Sequence, residues 1–174
     1  MIRKQILKST LFFLSWVLIP FVLVEVAMTL FDRHLGDSFF IYDPDLGYRV
    51  RPHAWGSNSL GFNDREYPVA RTPGIPRIMV VSDSYNWMGG QTGNYTHLLE
   101  ERFGAGTGMP KVEVLNVGYP GTHTGEQLAM FKKFGLPFQP DLVVLGFFAG
   151  NDFVDAEPFR KRIVLNGMQI DIDK

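Results

Sequence analysis

The chain has 174 residues, with 17 basic and 18 acidic side chains and a formal net charge of −1. No run or stripe of lysine and arginine occurs, so we expect no nucleic acid partner. The sequence contains no cysteine, which excludes disulfides and thiolate metal sites.

An apolar stretch near the amino terminus predicts a membrane-spanning helix. From Leu11 to Phe31 the sequence reads LFFLSWVLIPFVLVEVAMTLF, which is long enough to cross about 30 Å of hydrocarbon. The basic residues that precede it, Arg3, Lys4 and Lys8, predict a cytoplasmic tail by the positive-inside rule. We therefore predict a cytoplasmic tail at residues 1–9 and an uncleaved signal anchor at residues 10–33.

This prediction places the protein in a bacterial inner membrane as a single-pass protein, with the remainder of the chain periplasmic or extracellular. A cleaved signal peptide is one alternative, although its apolar segment would be shorter and followed by a small-x-small cleavage site. An amphipathic or buried core helix is the other alternative. Glu25 and Pro20 are the two residues of this stretch that fit a membrane-spanning helix least well. Glu25 lies toward the outer end of the stretch.

Residues 34–76 are rich in Gly, Pro, Asp and Asn. The segments DPDLGYRVRP and NSLGFNDREYP are typical of extended chain and turns rather than helices. We therefore predict an extended linker or accessory segment here, followed by a folded domain at residues 77–174.

The folded domain shows an alternation of strands and helices. Strands are predicted at 77–82, 111–117 and 141–147, with helices at about 92–103 and 124–135 between them. Thr124 and Gln127 match a capping box at the start of the second helix. The order βαβαβ predicts a parallel sheet in a three-layer α/β/α sandwich, and the Val/Leu-rich strands are expected to be covered on both faces.

The last segment, RIVLNGMQID at residues 162–171, predicts a β-hairpin with Asn166-Gly167 at its turn. Three parallel strands and one hairpin make a small core for this architecture. We therefore expect residue 174 to interrupt a domain rather than finish it.

Each predicted parallel strand is followed by a loop with polar residues, and all three loops should emerge at one edge of the sheet. Together they suit acyl transfer, in which a serine attacks a carbonyl and the oxyanion needs donors already aimed at it. Ser84 is the predicted nucleophile. The predicted oxyanion donors are the N–H groups of Ser84 and Gly118 and the side-chain amide of Asn151, and the predicted supporting residues are Asp83, Asn116 and Asp152.

These three blocks, in this order and spacing, resemble the SGNH/GDSL hydrolase superfamily of esterases. The segments NSLGFNDREYP and QPDLVVLGFFAGND resemble a membrane-anchored bacterial branch of it, and the resemblance covers residues from about 43 to the end. It implies a flavodoxin-like fold in which Ser84 is the nucleophile, Gly118 and Asn151 are oxyanion donors, and Asp83 shapes the loop. Two glycines of the family pattern are replaced, by Ser82 and by Ala149.

The resemblance leaves the catalytic base unassigned. The family places its histidine three residues after an aspartate near the carboxyl terminus, and no Asp-x-x-His occurs in this chain. None of the four histidines, His34, His53, His97 and His123, matches that pattern, although His123 lies in the second loop, where a cap or loop role is favoured. Because a serine without a base is a poor nucleophile, we expect a truncated enzyme or a degenerate paralogue.

The resemblance implies a serine esterase or acyl hydrolase, acting on a small-molecule or glycan acyl ester such as the O-acyl groups of carbohydrates. No cofactor and no metal are expected. An O-acyltransferase of the same fold, a non-catalytic membrane-tethered binding module and a flavodoxin-like scaffold without a hydrolase site remain alternatives. Among the aromatic residues near the strand ends, Trp87 and Tyr119 are candidates for a pocket, whereas Phe147 is expected to pack in the core.

Overall fold

The structure is a computed structural model that describes residues 2–35, 38–104, 108, 110–150, 152, 161–165 and 167–172. The chain divides into two units, Met1–Ser38 and Phe39–Lys174. The first unit consists of one helix, α1 (Ile2–Leu35), with Pro20 inside it. Within its stretch Arg3–Phe31, a window of 18 residues has a mean hydropathy of 2.3. By length and composition this helix can span a membrane, and a signal sequence would meet the same criteria.

The second unit contains a three-stranded parallel sheet, formed by β3 (Arg77–Ser82), β4 (Glu113–Gly118) and β5 (Leu142–Gly146). The order of the strands in the sheet is β4-β3-β5. Two antiparallel pairs accompany it, formed by β1 (Phe40–Ile41) with β2 (Arg49–Val50) and by β6 (Lys161–Leu165) with β7 (Met168–Ile172). The predicted parallel sheet and the predicted hairpin are therefore confirmed.

The helices of this unit are short. They are α2 (Ser84–Trp87), α3 (Gly90–Gly93), α4 (Tyr95–Gly104) and α5 (Thr124–Met130), with a π-helical turn at Phe131–Gly135 and 3₁₀ turns at Ala54–Gly56 and Leu136–Phe138. The helix predicted at 92–103 begins later, because Asn94 lies between α3 and α4. Asn94 Oδ1 accepts the N–H of Thr96 at 3.0 Å, as a helix cap does.

The predicted capping box of α5 was wrong by one residue. His123, not Thr124, is the N-cap, and its Nδ1 accepts the N–H of Gly125 at 3.0 Å. Glu126 Oε2 accepts the N–H of His123 at 3.1 Å in return. Histidine is an uncommon cap, so the sequence pattern favoured the neighbouring threonine.

Apolar clusters cover β3 and β4 on both faces. Val80 and Val114 pack with Leu99 and Phe103 of α4, while Met79 and Val117 pack with Met130 and residues of the 39–62 segment. The expectation that β5 is also covered on both faces is not met. Its residues Leu142–Leu145 are 41 to 52% exposed, and Phe147, expected in the core, is 44% exposed. The described residues leave β5 as an uncovered edge strand.

The segment predicted as an extended linker or accessory segment is part of the second unit from Phe39 onward. Tyr48, Val50 and Phe62 are fully buried there, and all three belong to the apolar cluster of Met79 and Val117. Tyr48 donates its hydroxyl to Gly121 O at 2.9 Å, which ties the segment to the loop after β4. The compact unit therefore begins near Phe39 rather than at Arg77.

Candidate functional site

The carboxyl ends of the three parallel strands lie side by side, as predicted. Ser82 of β3 is in register with Gly118 of β4 and with Gly146 of β5. The Ser82 hydroxyl donates to Gly146 O at 2.7 Å. Beyond the strand ends, the rings of Tyr85 in α2 and Phe148 in the loop after β5 lie 4.8 Å apart between centroids. Helix α2 and the loop that follows β5 therefore contact each other.

Asp83 and Ser84 form the turn from β3 into α2. Asp83 is buried and acts as the N-cap, and its Oδ1 accepts the N–H of Tyr85 at 2.9 Å. Asp83 Oδ2 is also buried and has no hydrogen-bond partner among the residues that the structure describes. Ser84 is the first residue of α2 and is half-buried. This places the predicted nucleophile directly at the carboxyl end of the central strand.

Gly118 lies where α2 closely approaches β4. A Cβ at this residue would lie 2.3 Å from Asn86 Cβ and 2.7 Å from the Asn86 carbonyl carbon. Its N–H donates to Asn116 Oδ1 at 2.9 Å. The structure thus gives this glycine a packing role and engages the N–H that was predicted to stabilise an oxyanion, so its role as a donor remains a prediction.

The engaged N–H of Gly118 belongs to a pattern along the outer edge of β4. Alternate residues of a strand direct their N–H groups to the same side, and here those residues are Val114, Asn116 and Gly118. Their N–H groups donate to Glu100 Oε2 at 2.7 Å, Asp64 Oδ2 at 2.7 Å and Asn116 Oδ1 at 2.9 Å, respectively. Side-chain oxygens therefore take the place of a fourth strand along this edge.

Asn116, predicted as a supporting residue, is the centre of a buried polar network. Its Oδ1 also accepts from Asn86 Nδ2 at 2.9 Å, and its own Nδ2 donates to Asn86 O at 2.7 Å. Asn86 lies on α2 two residues after Ser84. Asn63 joins this network, donating from Nδ2 to Trp87 O at 2.5 Å. The network fixes α2 against β4 and against the 58–67 segment.

Asp64, which is not among the predicted site residues, is connected to this network through the N–H of Asn116. Its Oδ1 accepts the N–H of Arg65 at 2.8 Å, in addition to the bond from Asn116 described above. Burial raises the pKa of Asp64 to about 7, although the two N–H bonds and the nearby Arg65 lower it. In the sequence, this residue is marked only by its place in the NSLGFNDREYP segment, and that segment carries the resemblance to the family without predicting a contact with β4.

The third loop is described only in part. Asn151, the predicted amide donor, lies outside the described residues. Asp152 is buried, and its Oδ2 accepts the N–H of Phe148 at 2.8 Å, which closes a tight turn. This turn holds Phe148 next to Tyr85, close to the predicted nucleophile.

None of the described histidine side chains forms a hydrogen bond with the Ser84 hydroxyl. His97 lies on α4, with Nε2 at 3.2 Å from Glu101 Oε1, and His53 is exposed in a left-handed turn with φ 62°. His123 caps α5, in agreement with the favoured cap role. The side chain of His34 is outside the described residues. Within the described part of the chain, no group of three or more His, Cys, Asp or Glu could hold a metal ion.

The aromatic candidates for a pocket are not free to line one. Tyr119 is fully buried in the core, where Val50 N–H donates to its hydroxyl oxygen. Trp87 is partly buried against the same core, and its Nε1 donates to Gly61 O at 3.4 Å. Tyr85, the residue after Ser84, is 69% exposed and is an accessible aromatic side chain beside the predicted nucleophile.

Compared with known families and with curated proteins, the chain matches no family model and no curated protein.

Proposed function

We propose that this protein is an SGNH-type serine esterase or acyl hydrolase in which Ser84 is the nucleophile. The observation that carries the proposal is the position of Ser84. It is the first residue of α2, at the carboxyl end of the central strand of a parallel sheet, where open α/β folds bind their ligands. The three-layer sandwich of that superfamily is part of the proposal.

In the proposed reaction the Ser84 hydroxyl oxygen bonds to the carbonyl carbon of an ester, and the hydroxyl proton passes to a base. The tetrahedral oxyanion is stabilised by N–H and amide donors, including the Ser84 N–H and Asn151. The C–O bond of the ester then breaks, the alcohol leaves with the proton, and an acyl-serine forms. Water, or a sugar hydroxyl in an acyltransferase, takes the acyl group and regenerates the serine.

The proposed base is the histidine of an Asp-x-x-His sequence, oriented by its aspartate. Residues 1–174 contain no such sequence. Resemblance to the family supports an acyl ester on a glycan as substrate, and this part of the proposal rests on analogy alone.

Fluorophosphonate labelling of the full-length gene product tests the nucleophile. We expect covalent labelling that is lost in Ser84→Ala. Ser82→Ala is the matched control, because the Ser82 hydroxyl is bonded to Gly146 O and buried within the sheet, and it should keep the label. Labelling that survives in a folded Ser84→Ala protein, or no labelling of a folded protein that contains Asp-x-x-His, contradicts the proposal.

A membrane-tethered binding module is the second candidate. The observation that favours it is the engagement of the Gly118 N–H by Asn116, since an occupied donor does not serve an oxyanion. Such a module would bind an acyl ester without labelling or turnover. The labelling experiment therefore separates the two candidates.

We also propose that α1 anchors the protein in a bacterial inner membrane, with the second unit on the periplasmic or outer side. The support is the length and hydropathy of Arg3–Phe31 and the three basic residues near its start. Retention in the membrane pellet after carbonate treatment, with the intact mass of the amino terminus, is the expected result. Release by carbonate, or a shortened amino terminus, would exclude an uncleaved anchor.

A further inference from the structure

We propose that a cavity in the second unit binds a small uncharged apolar molecule, about the size of a benzene ring. The cavity has a volume of about 120 Å³ and lies between the β3–β4 part of the sheet, the 58–69 segment and the turns at 131–138. Most of its lining is apolar, including Leu60, Phe62, Met79, Leu115, Val117 and Phe134.

The polar groups in the cavity wall already have partners. Asn58 Oδ1 accepts the N–H groups of Leu60 and Phe62, both at 3.0 Å, and Asn58 Nδ2 donates to Arg65 O at 3.3 Å. Asp64 and Asn116 are engaged with each other and with neighbouring backbone, as described above. A buried water usually makes two to four hydrogen bonds to groups that lack partners, and this wall offers it few. The cavity therefore favours an apolar occupant over water.

The size of the cavity sets the size of the occupant. An apolar cavity of about 150 Å³ in another protein stays dry and binds benzene or xenon. The cavity described here is slightly smaller, which fits one six-membered ring or a short branched alkyl group but excludes a two-ring compound. Its rim is polar, since Ser59 and Glu66 both line it and are both exposed.

Ser59 and Glu66 also close the segment that covers the cavity. The N–H of Ser59 donates to Glu66 Oε1 at 2.6 Å, and its hydroxyl donates to Glu66 Oε2 at 2.8 Å. Both groups are at the surface, where hydrogen bonds are replaced by water at little cost. Opening these two bonds provides a route by which a small molecule enters.

This binding site is separate from the proposed nucleophile. The cavity wall includes Met79, which precedes Ser82 by three residues in β3, whereas Ser84 follows the end of that strand. The proposal therefore does not depend on esterase activity. Asn116 belongs both to the cavity wall and to the network that holds α2. We therefore expect a molecule bound in the cavity to affect the position of α2 through the side chain of Asn116.

Fluorine NMR of fluorobenzene with the full chain in detergent micelles tests the proposal. We expect a saturable shift or broadening of the fluorobenzene signal that excess benzene reverses. Because fluorobenzene also partitions into micelles, the comparison is with variants in the same detergent. Val117→Phe and Leu60→Phe fill the cavity from opposite walls and should each weaken binding at least tenfold, and either suffices if the other does not fold. Val80→Ile, on the opposite face of the sheet, should keep it.

Binding of equal strength in a folded cavity-filled variant would overturn the proposal, because the site would then lie elsewhere. The absence of any saturable signal beyond that of empty micelles would also overturn it. A second readout is thermal unfolding. Leu60→Phe, whose position is only partly buried, should raise the midpoint in the absence of fluorobenzene and abolish the further increase that fluorobenzene gives.

Discussion

Asn116 Oδ1 accepts the N–H of Gly118 within the same strand, at 2.9 Å. This bond engages the Gly118 N–H, so that this group is not available to pair with a further strand. Asn86 Nδ2 of α2 donates to the same oxygen, which holds the end of β4 against α2. The side-chain amide of Asn116 thus bonds both to the last N–H of β4 and to α2, the helix that carries the proposed nucleophile.

Gly118→Ala is expected to destabilise the protein by about 1–3 kcal/mol, because the new Cβ overlaps Asn86 and the backbone must shift. Urea unfolding followed by circular dichroism measures the change. Gly93→Ala is the matched control, since nothing lies within 4 Å of a Cβ there, and its stability should be unchanged or slightly raised. Equal stability of Gly118→Ala and wild type would show that α2 does not pack as closely as described.

Arg77→Met should cost about 3–5 kcal/mol, because it leaves the buried Glu113 without its cation. Arg77 Nε donates to Glu113 Oε2 at 2.7 Å, and its guanidinium also donates to Phe138 O at 2.8 Å. The double variant Arg77→Met/Glu113→Leu should lose less than Arg77→Met alone. A double variant that is less stable than the single variant would show that the carbonyl bonds, rather than the ion pair, dominate the loss.

The contribution of Asp64 to stability should fall as the pH rises from about 4 to about 7. The folded-state pKa of about 7 lies above the value of 3.8 for an exposed aspartate, so in this range the folded state binds more protons and each step upward in pH favours unfolding. At about 1.4 kcal/mol for each pKa unit, the loss amounts to several kcal/mol.

The measurement for Asp64 is the difference in unfolding free energy between wild type and Asp64→Asn at several pH values. The asparagine does not titrate, so this difference should decline from pH 4 to pH 7 and then stay level. A difference that increases over this range would mean that the N–H bonds from Arg65 and Asn116 outweigh burial and hold the carboxylate ionised.

Val144→Lys should reduce self-association of the chain in detergent solution with little loss of stability. Val144 is 41% exposed on β5, and an uncharged apolar edge strand invites pairing with another strand, which lysine opposes. Sedimentation velocity measures the effect. Val69→Lys, at an exposed position outside the strands, is the control and should leave association unchanged. If Val144→Lys self-associates to the same degree as the wild type and Val69→Lys, β5 is not the surface through which the chains associate.

The sequence was sufficient for the strands of the sheet, for the hairpin and for the adjacency of the strand ends, because these follow from local hydrophobic runs, turn residues and parallel topology. It was not sufficient for contacts between distant polar residues. Asp64 and Glu100 bond to β4 from far along the chain, and no local pattern marks such partners. The capping box of α5 was placed one residue too late, at Thr124, because the pattern expects serine or threonine at the N-cap, although a cap or loop role was favoured for His123.

The exposure of β5 could not be foreseen for a related reason. Its composition, LVVLG, is that of an interior strand of a parallel sheet, and composition does not show which of the described segments pack against a strand. Likewise, Gly118 was predicted from the sequence as an oxyanion donor, and its close packing against Asn86 of α2 could not be read from the sequence.

The capping of β4 has a consequence for the order in which the protein is made. Asp64 and Glu100, whose carboxylates bind the edge of β4, both precede residues 113–118 in the chain. During synthesis from the amino terminus, both carboxylates have been made before β4 emerges, so the groups that block its free edge are available as soon as the strand is complete. Blocking an edge prevents the pairing between unfinished chains that leads to aggregation. For β4, the order in which the residues are synthesised therefore favours protection of its free edge against pairing with other chains.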